Sequence, residues 1–111
     1  MLIYHVTLPS HWERFKSRPS YQTESLNNEG FIHCSYQNQV EAVLRRYFGR
    51  ASKVLILSID TNKLKSKLVE EPSTYGEVYP HIYGRLNHNA ITAIEERELR
   101  RPVEDSLSDL Y

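Results

Sequence analysis

Three histidines stand in short segments whose composition is typical of β-strands. His5 lies in the segment LIYHVT, His33 in GFIHCS and His81 in YPHIYG. Because β-branched and aromatic neighbours favour strands, we expect these imidazoles on packed strands rather than on mobile loops. An imidazole held in one orientation can transfer protons or hydrogen-bond to ribose and phosphate groups. The three segments therefore point to one candidate site.

The alternation of side chains along a strand predicts which groups accompany each histidine. Successive residues face opposite sides, so His33 and Ser35 are expected on one face together with Phe31. The same rule groups three residues of the first strand and three of the later one: Ile3, His5 and Thr7, and Tyr79, His81 and Tyr83. If these faces meet, they form a polar cleft with an aromatic lining, which suits a nucleotide-like ligand.

Three glutamates lie nearest the third histidine segment in sequence, at Glu70, Glu71 and Glu77. A carboxylate can orient an imidazole or stabilise a cationic sugar-like transition state. Any of the three could take this role. The alternative is that all three are ordinary solvated surface groups.

Each histidine also has a purely structural interpretation, as a strand residue hydrogen-bonded inside the protein. Cys34, the single cysteine, directly follows His33 and is expected on the opposite face, so this histidine is not predicted to activate it. We interpret Cys34 as a small core residue.

A catalytic zinc site built from His5, His33 and His81 is conceivable, because three imidazoles and a water form a known ligand set. The chain contains no HxH or HExxH spacing to support it, so no metal is predicted. His11 and His88 are expected to be exposed to solvent.

Length and composition limit the class of protein. At 111 residues the chain is expected to form one domain, at 1–99, followed by a charged C-terminal tail, 100–111, that frays. Fourteen basic residues balance fourteen acidic ones, so the net charge does not favour nucleic acid. The lack of a disulfide pair, a signal peptide and a long apolar stretch predicts a cytoplasmic protein with no membrane contact.

The order of elements predicts an α+β fold with two main helices. Residues 53–60 form an almost continuous apolar run, which indicates a strand buried on both faces. The apolar face of a helix at 37–48 is formed by Val40, Val43, Leu44, Tyr47 and Phe48. A first helix begins at Pro9 and carries Trp12 and Phe15, and the remaining strands are predicted at 2–6, 31–34, 68–71, 79–83 and 90–96.

At these segments the chain resembles a family of small bacterial proteins of unknown function that carry a GFIHCS signature. The likeness covers about the first 95 residues, and its motifs follow in the same order. It runs through 3–5, Trp12, 30–35, Phe48, 71–72 and 80–84 to Leu86.

The family is thought to be similar in fold to the ADP-ribosyltransferases, a split β-sheet architecture whose central cleft binds NAD. This resemblance implies a nucleotide-sugar function, with His5 matching the polar residue that holds the nicotinamide ribose. Ser35, Tyr83 and either Glu71 or Glu77 could supply the remaining hydroxyl and carboxylate. A histidine-rich site is also similar to the RNA 2'-phosphotransferase branch of that fold.

We therefore expect a protein that binds or processes NAD, ADP-ribose or a related nucleotide in a histidine-lined cleft. A non-catalytic binding module of the same fold is the alternative, and purely structural histidines are the third possibility. The expected catalytic residues are His33, Ser35 and Glu71, and the expected ligand-binding residues are His5, Thr7, His81 and Tyr83.

Overall fold

Residues 1–74 and 76–99 are described in a computed structural model of the protein. Their strands are β1 (Leu2–Thr7), β2 (Ser20–Tyr21), β3 (Ile32–His33), β4 (Lys53–Asp60), β5 (Lys67–Pro72), β6 (Val78–Tyr83), β7 (Leu86–Asn87) and β8 (Ile91–Glu98). Their α-helices are α1 (Pro9–Phe15), α2 (Glu24–Asn28) and α3 (Val40–Tyr47). Short 3-10 turns occupy Gln37–Gln39, Thr61–Lys63 and His88–Ala90. The predicted α+β class is confirmed.

The strands form three antiparallel sheets. Their orders are β1-β4-β8, β3-β6-β5 and β2-β7. Two reciprocal backbone hydrogen bonds join the two larger sheets: Tyr4 N–H donates to Ser35 O at 2.8 Å, and Ser35 N–H donates to Tyr4 O at 2.7 Å. We call this Tyr4–Ser35 bridge the seam.

Strand β4 lies at the centre of its sheet and is buried on both faces, as the sequence predicted. Val54 and Ile56 pack on one face with Val40 and Leu44 of α3. The other face belongs to the larger core cluster, which includes Leu55, Leu57, Ile59, Ile3 and Phe15. Apolar residues at successive positions of β4 thus serve two different clusters, which explains the lack of alternation in the sequence.

The predicted helix at 37–48 is present as a 3-10 turn followed by α3. Val40 and Leu44 are buried, and Val43 and Phe48 are partly buried. Tyr47 is 67% exposed, so its assignment to the packed face is wrong. It is the last residue of α3, and its side chain points away from the cluster that Phe48, the next residue, packs against.

The segment between α1 and β3 contains two short elements that the sequence patterns did not predict. It contains the two-residue strand β2 and the five-residue helix α2. Tyr21 in β2 is fully buried and packs in the larger core cluster. Elements this short contain less than two periods of any pattern, so hydrophobic periodicity cannot reveal them.

None of the helices within residues 1–74 and 76–99 is long and apolar enough to cross a membrane. The charged C-terminal segment predicted at 100–111 lies outside the described residues. The domain boundary at residue 99 stays a prediction.

Candidate functional site

Two of the three predicted histidines face each other across neighbouring strands. The antiparallel register of β3 and β6 places His33 directly opposite His81, and their ring centroids are 5.4 Å apart. Phe31 stacks on His81 at 4.0 Å with an interplanar angle of 18°, and its ring also lies 4.8 Å from His33. Tyr83 contacts Phe31 at 5.3 Å. Strand pairing therefore assembles four rings.

Each imidazole of this pair is held by a carboxylate. His81 Nδ1–H donates to Glu71 Oε1 at 2.7 Å, and the same oxygen accepts a hydrogen bond from Tyr83 Oη at 2.6 Å. His33 Nε2–H donates to Glu29 Oε2 at 2.9 Å. We call Phe31, His33, His81, Tyr83, Glu29 and Glu71 the histidine cluster.

The hydrogen bonds also set the protonation of the carboxylate. The hydrogen bond from Tyr83, and to a lesser extent the one from His81, holds the pKa of Glu71 below its ordinary value, because both bonds favour the ionised carboxylate. The bond to Glu71 in turn raises the pKa of the Tyr83 phenol. Glu71 is thus an anion at neutral pH.

Both imidazoles keep one ring nitrogen without a hydrogen bond in the described part of the chain: Nε2 of His81 and Nδ1 of His33. The His33 side chain is 55% exposed, whereas that of His81 is only 10% exposed. A neutral imidazole whose N–H is held by a carboxylate presents a lone pair at its other nitrogen. The cluster can therefore accept and donate protons at the protein surface.

His5 belongs to a separate, buried network. Its Nδ1–H donates to the backbone oxygen of His33 at 2.6 Å, and its Nε2 accepts from Tyr21 Oη at 2.8 Å. Thr7 makes a side-chain hydrogen bond to the same phenol. Burial lowers the pKa of His5 to about 4, so its imidazole is neutral at physiological pH and both of its nitrogens are satisfied.

This network ties β1 to β3 behind the histidine cluster. Within the described residues, no ring contact or hydrogen bond joins His5 or Thr7 to the side chains of the cluster. Burial raises the pKa of the Tyr21 phenol, which remains a donor. The structure therefore brings His33, His81, Tyr83 and Glu71 together and leaves His5 and Thr7 in a layer below them.

Ser35 is also placed below the surface, with 4% of its area exposed. Strand alternation put its side chain beside that of His33, but the chain leaves the β3–β6 ladder after His33 and pairs with β1 at the seam. The Ser35 hydroxyl makes no hydrogen bond within residues 1–74 and 76–99.

The two other candidate glutamates have partners outside the cluster. Glu70 accepts a hydrogen bond from the Tyr36 phenol, and burial together with this bond raises the pKa of Tyr36 to about 12. Glu77 accepts from Tyr79 Oη at 3.3 Å. Of the three carboxylates, Glu71 is the one that the fold brings to the histidines.

Sequence reasoning placed Phe31 on the face of His33 by alternation but missed two participants in these networks, Glu29 and Tyr21. Glu29 reaches His33 across Gly30, whose φ of 90° turns the chain in a conformation that favours glycine. No local pattern marks Glu29 or Tyr21.

His11 and His88 were expected to be exposed, and both expectations are wrong. Each is partly buried and donates from Nε2 to a backbone carbonyl, that of Gln22 for His11 and that of Arg18 for His88, both at 2.8 Å. The ring of Trp12 lies 5.7 Å from that of His88. Hydrogen bonds to backbone carbonyls and contacts with aromatic rings explain why these imidazoles are partly buried.

Cys34 is confirmed as a core residue, with 3% of its area exposed. Burial in apolar surroundings raises the pKa of its thiol. Residues 1–74 and 76–99 contain no group of three or more histidine, cysteine, aspartate or glutamate side chains arranged to hold a metal ion.

Comparison with known proteins gives a fold and a family but no activity. No curated protein matches the chain. The crystal structure of protein CC0527 from Caulobacter crescentus is similar with a TM-score of 0.80 at 24% identity, covering 97% of this chain and 99% of that one. The crystal structure of a double mutant of CC0527 gives the same values. The solution NMR structure of CC0527 has a TM-score of 0.75 at 25% identity and covers 96% and 97%.

A family model described as "Protein of unknown function (DUF952)" matches residues 6–94. This range includes both strands that carry the histidine pair and the strand that carries Glu71. The small mixed fold of antiparallel sheets and few helices is shared with the Caulobacter protein over nearly the whole chain. The chain therefore belongs to the DUF952 family of proteins of unknown function.

Proposed function

We propose that the protein binds a nucleotide or nucleotide sugar of the NAD or ADP-ribose type at the histidine cluster and carries out acid–base chemistry on it. The observation that supports this proposal is the histidine pair itself. Two imidazoles with ring centroids 5.4 Å apart are each anchored by a different glutamate, and each has a free ring nitrogen in the described chain. Structural histidines in a sheet do not need this arrangement.

The two histidines are suited to complementary roles. His81 is the more enclosed, and Glu71 fixes its tautomer, so its Nε2 suits a general base. His33 is exposed and its Nε2–H donates to Glu29, so its free Nδ1 suits proton exchange with a substrate bound at the surface. Both side chains can reach one small substrate lying across β3 and β6.

The aromatic and acidic groups fit a nucleotide sugar. Phe31 and Tyr83 offer ring surface against which a base or a nicotinamide can stack. The ionised Glu71 can stabilise positive charge that develops on a ribose when a glycosidic bond breaks. The division of the β-structure at the seam supports similarity to the split sheet of ADP-ribosyltransferases.

The roles assigned from sequence to His5, Thr7 and Ser35 stay predictions. In the present conformation the first two are bonded to Tyr21, so ligand contact with them requires that phenol to move. We propose instead that His5 fixes the backbone of β3 from behind and so positions the exposed histidine.

A non-catalytic binding module is the second candidate. It is favoured by the openness of the cluster, since more than half of the His33 side chain is exposed and a catalytic site usually excludes water from its reacting groups. Binding and turnover must therefore be measured separately.

The test is a calorimetric and NMR titration of the purified protein with NAD, ADP-ribose, AMP and nicotinamide, followed by an assay for nicotinamide release. We expect binding that is lost or weakened at least about tenfold in His33→Ala and Glu71→Gln, because each removes a charge-assisted contact. His88→Ala is the matched control, since it removes a partly buried imidazole that bonds to Arg18 O.

Turnover by the wild type that Glu71→Gln abolishes supports the enzyme. Binding without turnover supports the module. If none of the four compounds binds, or if His88→Ala weakens binding as much as His33→Ala does, the proposal is wrong.

A further inference from the structure

A polar depression lies on a different part of the protein from the histidine cluster. It has a volume of about 180 Å³ and is formed where the end of α1 meets β2 and the start of β7. Its lining consists of Phe15, Arg18, Pro19, Ser20, Gln22 and Arg85. Two of these residues are cationic and none is acidic.

The two arginines lie at opposite ends of β2 and both line the depression. Tyr21 is in register with Leu86, so Arg85 lies beside the end of β2, whereas Arg18 lies just before its start. The Arg18 guanidinium carbon is 5.1 Å from the ring centroid of the buried Phe15. This cation–π contact orients the Arg18 side chain over the floor of the depression.

The backbone at Arg85 is fixed by a close approach. Gly84 has a φ of 150°, and a Cβ built there would lie 2.9 Å from Ser66 Cβ. Ser66 Oγ donates a hydrogen bond of 2.6 Å to the carbonyl oxygen of Arg85. Only glycine fits position 84 without strain. The hydrogen bond from Ser66 then fixes the backbone carbonyl of Arg85.

The donors that line the depression are unpaired. Neither Arg18 nor Arg85 forms an ion pair with a carboxylate in the described chain, and the side chains of Ser20 and Gln22 make no hydrogen bond there. Arg97 shows the contrasting pattern, with hydrogen bonds to two glutamates. Guanidinium groups present rigid forks of N–H donors that match phosphate oxygens.

We propose that this depression binds the phosphate group of a small phosphorylated molecule, with the phosphate between Arg18 and Arg85. The Ser20 hydroxyl and the Gln22 amide add neutral hydrogen bonds to its oxygens. The volume of about 180 Å³ is several times the ~30 Å³ that one water molecule occupies in the liquid. The depression can therefore hold a phosphate and part of the group that carries it. Because the net formal charge of the chain is zero, attraction to this anion is local.

The experiment is an NMR titration at low ionic strength with inorganic phosphate and, separately, with ribose 5-phosphate, followed at the arginine Nε–Hε resonances. We expect saturable shifts at Arg18 and Arg85, and tighter binding of ribose 5-phosphate. Arg18→Gln and Arg85→Gln should each weaken binding about tenfold or more, because each removes a charge-assisted contact. Neutral ribose should not bind.

Arg50→Gln is the matched control, because it makes the same charge change at an exposed arginine with no ion-pair partner in the described chain. Arg18→Gln could destabilise the protein, because it removes the cation–π contact with Phe15. Arg85→Gln then still tests the site, because the Arg85 side chain forms no hydrogen bond or ion pair in residues 1–74 and 76–99. The proposal is wrong if no saturable shift occurs, if Arg85→Gln binds like the wild type, or if Arg50→Gln has the same effect.

Discussion

The buried His5 should make the stability of this protein fall as the pH is lowered from 6.5 to 4. Burial lowers the pKa of His5 from 6.5 to about 4 in the folded protein. Below pH 6.5 the unfolded chain takes up a proton at His5, whereas the folded protein does not until the pH reaches about 4. The unfolded state therefore binds more protons in this window, and acid favours it.

The magnitude follows from the width of that window. One pH unit is worth about 1.4 kcal/mol when the two states differ by one bound proton, so His5 should account for about 3 kcal/mol in all. The structure explains the resistance to protonation. Nδ1 already donates to His33 O, and a proton on Nε2 would face the hydrogen that Tyr21 Oη donates to it.

The assay is urea unfolding between pH 4 and pH 7 for the wild type and His5→Asn. The asparagine amide retains a donor near the position of Nδ1 but leaves the Tyr21 hydroxyl without its acceptor, which costs about 1 to 3 kcal/mol at pH 7. The advantage of the wild type over the variant should then fall by about 1.4 kcal/mol per pH unit between pH 6.5 and pH 4, which is enough to remove or reverse it. His88→Asn, which retains His5, should keep the wild-type slope.

A free-energy difference between wild type and His5→Asn that stays constant from pH 7 to pH 4 would refute this reasoning. It would mean that the folded protein accepts the proton as readily as the unfolded chain does.

Two further outcomes are expected. Cys34 should not react with a disulfide reagent at pH 8 in the native protein and should react fully in urea, because its thiol is buried and its pKa is raised; rapid native reaction would contradict its place in the core. Gly84→Ala should lower the free energy of unfolding by about 1 to 3 kcal/mol, since its φ is 150° and the new Cβ would press on Ser66. Gly49→Ala is the control in urea titrations, because a Cβ there meets only Arg45 O at 3.4 Å; equal losses in the two variants would count against the strain at Gly84.

The main strands and the long helix could be predicted because their patterns extend over several periods. The run from Lys53 to Asp60 is long and apolar enough to identify a buried central strand, and α3 shows its buried positions at Val40 and Leu44. The burial of Tyr21 could not be predicted, because its strand has only two residues. That strand is defined by its pairing with β7, where the partner of Tyr21 is Leu86, 65 residues further along the chain.

Only part of the candidate site could be predicted, because alternation groups residues within a strand and does not show which strands pair. Strand alternation correctly put His81 and Tyr83 on one face, but it could not show that β3 and β6 pair with His33 opposite His81. Ser35 shows the limit of alternation, because the rule assumes one continuous ladder and the chain changes partner after His33. Which strand pairs with which depends on the whole core, and a single sequence contains no local record of it.

The seam has a consequence for local unfolding of the protein. Two backbone hydrogen bonds between Tyr4 and Ser35 join the larger sheets, and the bond from His5 to the His33 carbonyl lies alongside them. The larger core cluster also joins the two sheets through Ile3 and Ile32, so the seam differs from the interior of a sheet in its small number of backbone hydrogen bonds. Amide hydrogen exchange at Tyr4 and Ser35 should therefore be faster than within β4, and a substitution that loosens His5 should speed it further. The buried imidazole of His5 thus controls how firmly the backbone of His33 is held at the seam.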